Sequence, residues 1–324
     1  MQTELPTTLL EVIRYFENFE NCRDFLVSLR WPDGKVTCPQ CGSEHVTYLA
    51  KARQWKCYAK HSRPKFTLKT GTIFEDSPLP LDKWLVALWL VVNSRNGVSS
   101  CGIARTLGIT QKSAWFMAHR LRFALHQGSF ETMMSGHVEA DETFIGGKSR
   151  NMHKRKRDKL GISQSNSMAG KVAVMGLLER HGEGSRVRTR VVETRRRNEL
   201  ERTVTEHVEL GSNLYTDALR SYDRMGQKGY IHGIIDHAEK YVEGDIHTNG
   251  LENFWSLLKR ALKGTYVSVE PFHLFRYLDE QMYRFNNRKV GDFNRFALAA
   301  ASIVDRRLMW KQLTGQEDGA ALLN

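Results

Sequence analysis

Two cysteines on a glycine-closed turn restrict the start of this chain more than any other feature. In Cys38-Pro39-Gln40-Cys41-Gly42, two thiolates sit close enough to point at one ion. A structural zinc ion needs four such ligands. Cys57 and His61 supply a second pair, completing the pattern C-x2-C-x15-C-x3-H. Residues 46–48 and 54–56 between the pairs read as two short strands. A lone CxxC would also suit redox chemistry, but the second pair at this spacing points to a zinc ribbon held by Cys38, Cys41, Cys57 and His61. The chain has five cysteines, an odd count with one tight pair. That favours a reducing, cytoplasmic setting and a metal site over disulfides. Met1–Leu10 lacks the charged start and apolar stretch of an export signal. The longest apolar run, Trp84–Val92, is far short of the ~20 residues that span a bilayer.

Beyond the ribbon the period changes to helical. Residues 81–93 read as an apolar helix started by Pro78 and Pro80. Ser99 or Ser100 caps a short helix over 101–107, Gly108-Ile109-Thr110 makes a turn, and Thr110 caps a longer helix over 111–125. Short helix, glycine-containing turn and longer polar-faced helix form the helix-turn-helix pattern. Lys112, Arg120 and Arg122 on the longer helix are the expected DNA contacts, with Trp115, Phe116 and Met117 in the core.

From residue 137 the pattern becomes α/β. Strands are expected over 137–147, 171–178, 186–193, 213–217 and within 231–242. Helices are expected over 198–207, 247–261 and 271–286. Asp141 stands within an otherwise apolar strand, and Asp217 ends another. Glu252 lies on the helix over 247–261, with Lys259 two turns later on the same face at ~3.6 residues per turn. Glu139 and Glu142 are expected on the sheet face opposite Asp141, in structural or solvated roles.

Charge adds a partner. Forty-eight Lys and Arg against 36 Asp and Glu leave a net +12. Residues 51–69 carry +7, 148–159 carry +6 and 180–197 carry +5. One basic run is commonly a solvated face, but three in one chain suggest a polyanion. The run around Lys154, Arg155, Lys156 and Arg157 reads as a mobile DNA-clamping loop, followed by the polar residues Ser163–Asn166.

The segments Cys38–Gly42, Thr70–Trp89, Gly108–Arg122, Val138–Gly147, Tyr215–Tyr222 and His247–Arg260 make a resemblance specific. The chain resembles a DDE insertion-sequence transposase of the ISXO-type group with an N-terminal zinc ribbon, in the family's order over roughly residues 30–290. The 35-residue step from Asp217 to Glu252 and the later Lys259 also fit. Ribbons often close with CxxC, where this chain has Cys57-x3-His61.

The resemblance implies an RNase H-like catalytic domain in which Asp141, Asp217 and Glu252 bind magnesium or manganese and Lys259 holds a phosphate. Asn249 is an alternative third residue, but its carboxamide is a poorer ligand for a hard cation. The expected organisation is an N-terminal helical segment (1–30), zinc ribbon (31–76), helix-turn-helix (77–130), catalytic domain (131–290) and C-terminal helical tail (291–324). The expected activity is binding of an element's terminal inverted repeats, strand cleavage at its ends and joining of the freed 3′-hydroxyl to target DNA. The expected partners are double-stranded DNA and at least a second copy of the chain. A bacterial cytoplasm, with nucleoid association on DNA, is the expected location. Two other readings remain: an RNase H-like nuclease without strand transfer, and a non-enzymatic zinc-ribbon regulator.

Overall fold

The structure is a computed structural model and describes residues 5–126, 132–147, 152–159, 161, 170–181, 184–193, 196–217, 219–235 and 247–315. The chain divides into two compact units, one built from residues 1–126 and 290–324, the other from 127–289. No described helix is long and apolar enough to cross a membrane.

In the first unit, α1 (Leu9–Glu17) opens with a reciprocal cap. Thr8 Oγ1 accepts from Glu11 N–H, and Glu11 Oε2 accepts from Thr8 N–H. Helix α2 (Phe19–Arg30) follows directly, started by the Asn18 side chain. Strands β1 (Val46–Leu49), β2 (Gln54–Cys57) and β3 (Lys65–Phe66) form an antiparallel ribbon. The first two strands lie where the sequence reading puts them. The third is too short to carry a period-two signal. Trp55 anchors the ribbon between Tyr48 and Phe66, with ring centroids 4.7 and 5.8 Å away.

Helix α3 (Leu81–Asn93) is almost wholly buried. Ser99 caps α4 (Ser100–Leu107), Gly108 ends it in the left-handed conformation, and Thr110 caps α5 (Gln111–Leu125). These are the caps that the sequence implied.

The second unit begins with β4 (His137–Ile145). The basic run follows as a short helix, α6 (Lys154–Lys159). The run had been expected as a loop. Lys and Arg are good helix formers, and Arg157 N–H closes a turn on His153 O at 3.0 Å. Residues 163–166 lie outside the described residues. Strands β5 (Val172–Arg180) and β6 (Arg186–Val192), helix α7 (Arg197–His207), strands β7 (Asn213–Asp217) and β8 (Ile231–Ile235), and helices α8 (Asn249–Ala261) and α9 (Leu274–Asn286) complete it. The sheet order is β6-β5-β4-β7-β8. β5 runs antiparallel to both of its neighbours, β6 and β4, and β4, β7 and β8 run parallel.

Alternation along the strands divides the core into two layers. Val138, Ala140, Met175 and Leu177 face one side with Leu200 and Val204 of α7. Val174, Leu178 and Val187 face the other with Leu251, Phe254, Trp255 and Leu258 of α8 and Leu278 and Phe285 of α9. The exposed edge of β6 is covered in part by α9. The Asn286 amide both donates to and accepts from the Val187 backbone, at 3.0 and 2.8 Å.

The last two helices, α10 (Asp292–Ala301) and α11 (Trp310–Thr314), belong to the first unit. Phe296 of α10 joins Phe16, Phe25 and Trp89 in one aromatic cluster. Arg306 donates to the carbonyls of Phe123, Ala124 and His126 at the C-terminal end of α5. A cation there complements the helix dipole.

The docking of α8 on the sheet is the best-defined joint of the second unit. Glu139 is 1% exposed and its Oε2 accepts from Leu251 N–H in the first turn of α8 at 2.9 Å. Its Oε1 accepts from Arg180 Nε at 2.8 Å. Gly250 makes the close approach possible, because a Cβ there would meet Leu178 Cδ1 at 2.8 Å and Glu139 Oε2 at 2.9 Å. Glu139 therefore faces α8, on the same side as Asp141, and not the opposite side as expected. Residues two apart share a strand face, so only Glu142 points away, where it accepts from the buried Tyr222 hydroxyl. Removing Glu139 leaves the Arg180 guanidinium without its buried partner and α8 without its cap. Glu139→Ala is expected to lower unfolding stability by roughly 3 kcal/mol, measured by urea titration of the whole chain.

Candidate functional sites

Cys38, Cys41, Cys57 and His61 come together in the ribbon, with all four ligand atoms within 4.8 Å of one another. Two backbone bonds shape the first knuckle: Gly42 N–H to Cys38 O at 2.8 Å and Cys38 N–H to Ser43 O at 2.9 Å. Cys57 closes β2 and brings in the second pair. Cys41 Sγ lies 3.7 Å from Cys57 Sγ, and Cys38 Sγ lies 3.6 Å from His61 Nε2. Tetrahedral bonds of ~2.3 Å to sulfur and ~2.0 Å to nitrogen require edges of about 3.8 and 3.5 Å. These two edges match a zinc site, and the four residues supply the ligand set that such an ion requires.

The acidic site forms on the α8 side of the sheet. β4 and β7 pair in parallel with a constant offset of 76 residues, from His137 against Asn213 to Ala140 against Thr216. The next residue on each strand is Asp141 and Asp217, so the two carboxylates are strand neighbours on one face. Glu252 in the first turn of α8 and Lys259 two turns later open onto the same cavity of about 400 Å³ as Asp141, together with Glu142, Thr143, Trp255 and Ser256. Asp217 is not part of that lining. It accepts from Leu219 N–H at 3.2 Å beside it. Among the described residues, no second group of three Cys, His, Asp or Glu side chains is drawn as tightly together as the ribbon four.

Electrostatics singles out Asp141. Burial, and then the neighbouring Asp217, push its carboxyl up to about 6. Donation from Trp255 and Glu142 N–H opposes the shift, and Glu252 adds to it. Crowded oxygen donors of like charge suit a hard divalent cation, which removes their repulsion. Phe254 and Trp255 are core residues, as expected from the sequence. Trp255 has a second contact that sequence reasoning missed: its Nε1–H donates to Asp141 Oδ2 at 2.9 Å. Asn249 begins α8, a turn before Glu252, and does not line the cavity.

The basic residues divide. Lys112 is exposed at the start of α5, its ammonium 5.1 Å from the Trp310 ring centre. Lys154 and Arg155 are exposed on α6, and Arg157 donates to Met152 O at 3.2 Å. The side chain of Lys156 lies outside the described residues. Arg120 and Arg122 are not at a surface: they are 6% and 2% exposed. Arg120 donates to Leu308 O at 3.1 Å and Glu75 O at 2.9 Å. The end of α5 is enclosed, so its two arginines stabilise the first unit and are withdrawn as DNA contacts.

Native mass spectrometry of the fresh chain should find one zinc ion, and Cys57→Ser should lose it and lower the melting temperature. In chelator, a carboxyl whose folded pKa is raised costs stability above about 6 and costs nothing below the ordinary carboxylate value of about 3.9. Asp141→Asn should therefore melt higher than the parent at pH 7, with the gap closing as pH falls from 6 to 4. Added magnesium should raise the melting temperature of the parent more than that of Asp141→Asn.

Comparison with known proteins identifies the family of both regions. Residues 133–286 match a family described as the ISXO2-like transposase domain, and residues 18–59 match the transposase zinc-ribbon domain. An uncharacterized protein in transposable element ISH50 of Halobacterium salinarum is 26% identical over 259 residues, covering 77% of this chain and 85% of that protein. An uncharacterized transposase-like protein of Haemophilus influenzae is 34% identical over 87 residues, covering 27% of this chain and 70% of that protein. Asp141, Asp217, Glu252 and Lys259 fall within the first matched region and Cys38, Cys41 and Cys57 within the second, with His61 just beyond its end, and the chain belongs to the ISXO2-like DDE transposase family.

Proposed function

We propose that the chain binds the terminal inverted repeats of an insertion sequence, cleaves DNA at the element's ends and joins the freed 3′-hydroxyl to target DNA. The observation that carries this reading is the parallel register that makes Asp141 and Asp217 neighbours, with Glu252 and Lys259 opening onto the cavity beside Asp141. The mixed five-stranded sheet with helices on both faces supports an RNase H-like catalytic domain.

Asp141, Asp217 and Glu252 would supply the oxygen ligands for magnesium or manganese. When bound, such ions activate the attacking oxygen and stabilise the departing one in an in-line displacement. The Lys259 ammonium, a compact point charge on a flexible stem, would hold a phosphate oxygen of the DNA at the cavity. The protein forms no covalent link to DNA in this scheme, so no Ser or Tyr nucleophile is required. Zinc on Cys38, Cys41, Cys57 and His61 would have only a structural part, stiffening the ribbon for DNA binding.

Helices α3, α4 and α5 would act as a helix-turn-helix, with Lys112 near the DNA-facing start of α5. Lys154, Arg155, Lys156 and Arg157 on α6 would contact phosphates, so DNA affinity is expected to fall strongly with salt. Bringing two element ends together calls for at least two copies of the chain. On DNA it would associate with the nucleoid.

Asp141→Asn is expected to lose strand cleavage in magnesium while keeping the parent's affinity for the same duplex. Full cleavage by that variant would refute the assignment. A precut duplex tests the second step, because a nuclease without strand transfer yields no joined product from it.

A further inference from the structure

Asp141 on β4 pairs across the sheet with Gly176 on β5. Gly176 offers the α8 side no side chain, and Trp255 fills the space. A Cβ on Gly176 would lie 2.6 Å from Trp255 Cζ2, 2.8 Å from Cη2 and 2.9 Å from Leu251 Cδ2. An alanine there would have to push the helix or the indole away. The indole is 4% exposed and stands edge-on to Phe254, with ring centroids 5.2 Å apart, so its orientation is set by packing. What that orientation achieves is the 2.9 Å bond from Nε1–H to Asp141 Oδ2.

An indole N–H is a donor only, and an ionised carboxylate is an acceptor only with about four lone-pair directions. Asp141 Oδ1 is held separately by Glu142 N–H at 2.7 Å. Each oxygen therefore has one direction taken by a fixed donor and keeps another for a further partner. Glu252, Trp255 and Lys259 are spaced three and seven residues along α8, on the face that lines the cavity. One helix carries a proposed metal ligand, a proposed phosphate contact and the group that orients a ligand on the neighbouring strand.

We infer that Trp255 is a positioning residue for the reacting centre, turning the Asp141 carboxylate toward the cavity, and that Gly176 is required for the indole to reach it. This rests on the reading of Asp141 as a metal-binding acid. Partners that orient metal ligands typically contribute 10–100-fold to metal affinity or activity. A tryptophan that only filled the core would leave metal affinity unchanged once the fold was kept.

The test uses the full chain, with Mn²⁺ as the metal and duplex DNA flanking the coding sequence as substrate. Trp255→Phe keeps an aromatic ring in the core and removes the N–H. Its expected behaviour is a retained fold by circular dichroism, unchanged DNA affinity and unchanged KM. Its kcat for cleavage should fall roughly 10–100-fold, and its affinity for Mn²⁺, read from the spin-resonance signal of the free ion, should fall by a similar factor. In an Asp141→Asn background the same substitution should change Mn²⁺ affinity no further, since the coupled partner is gone. A folded Trp255→Phe chain with the parent's Mn²⁺ affinity overturns the inference and leaves the Asp141 reading standing. Parental Mn²⁺ affinity and cleavage in Asp141→Asn alone overturn that reading and the inference with it. If Trp255→Phe does not fold, the indole proton–nitrogen spectra of the parent and Asp141→Asn decide. One indole proton should move upfield as its acceptor changes from carboxylate to amide, and an unchanged indole region overturns the inference.

Discussion

The buried carboxylate of Glu139 is the constraint on which the second unit depends. A carboxylate that is 1% exposed is tolerated only where donors surround it. Here the donors are the first turn of α8 and the guanidinium of Arg180. Arg180 in turn donates to His247 O at 2.5 Å and packs its guanidinium over the Tyr215 ring. The charge that β4 buries thus fixes where α8 begins. The position of Glu252 one residue beyond Leu251 follows from that contact, and so does the direction in which the rest of the helix runs along the sheet.

The two sites rest on different kinds of order. The ribbon four are gathered by tight turns and a short hairpin that bring their ligand atoms within 4.8 Å of one another. The acids are gathered by three separate pieces of backbone, and burial together with the nearness of Asp217 raises the Asp141 carboxyl. A closed four-ligand site is what a structural ion requires, while acids opening onto a cavity leave room for a substrate. Chemistry and scaffold are in this way separated within one chain.

Arg120 and Arg122 show how the same residue type is used oppositely. Both lie on a helix whose start presents Lys112 to solvent, yet the end of that helix is enclosed and its arginines are consumed by carbonyls and packing. The long aliphatic stems of arginine make this compatible with a core. Charge on α5 therefore reaches solvent only at the start of the helix, and the end of α5 is part of the unit's interior.

Patterns that are local in the chain were legible without a structure. The spacing of Cys38, Cys41, Cys57 and His61, the caps at Ser99 and Thr110, and the Glu252–Lys259 helix face all depend on turn geometry or helical period, which a sequence carries directly. The run from Lys154 to Lys159 was legible as basic but not as helical, because charge dominates its composition. Glu139 was assigned to the wrong face although strand parity alone places it with Asp141. The loss of Arg120 and Arg122 to the interior, the pairing of Asp141 with Gly176, and the reach of Trp255 to Asp141 had no signal in the chain. Each joins residues dozens to more than a hundred positions apart, and such contacts depend on strand register and on what covers a helix. The chain's order of residues carries which chemical groups are present and which are local neighbours. Which of them share a face is settled by folding, because register and packing are properties of the sheet and helices together.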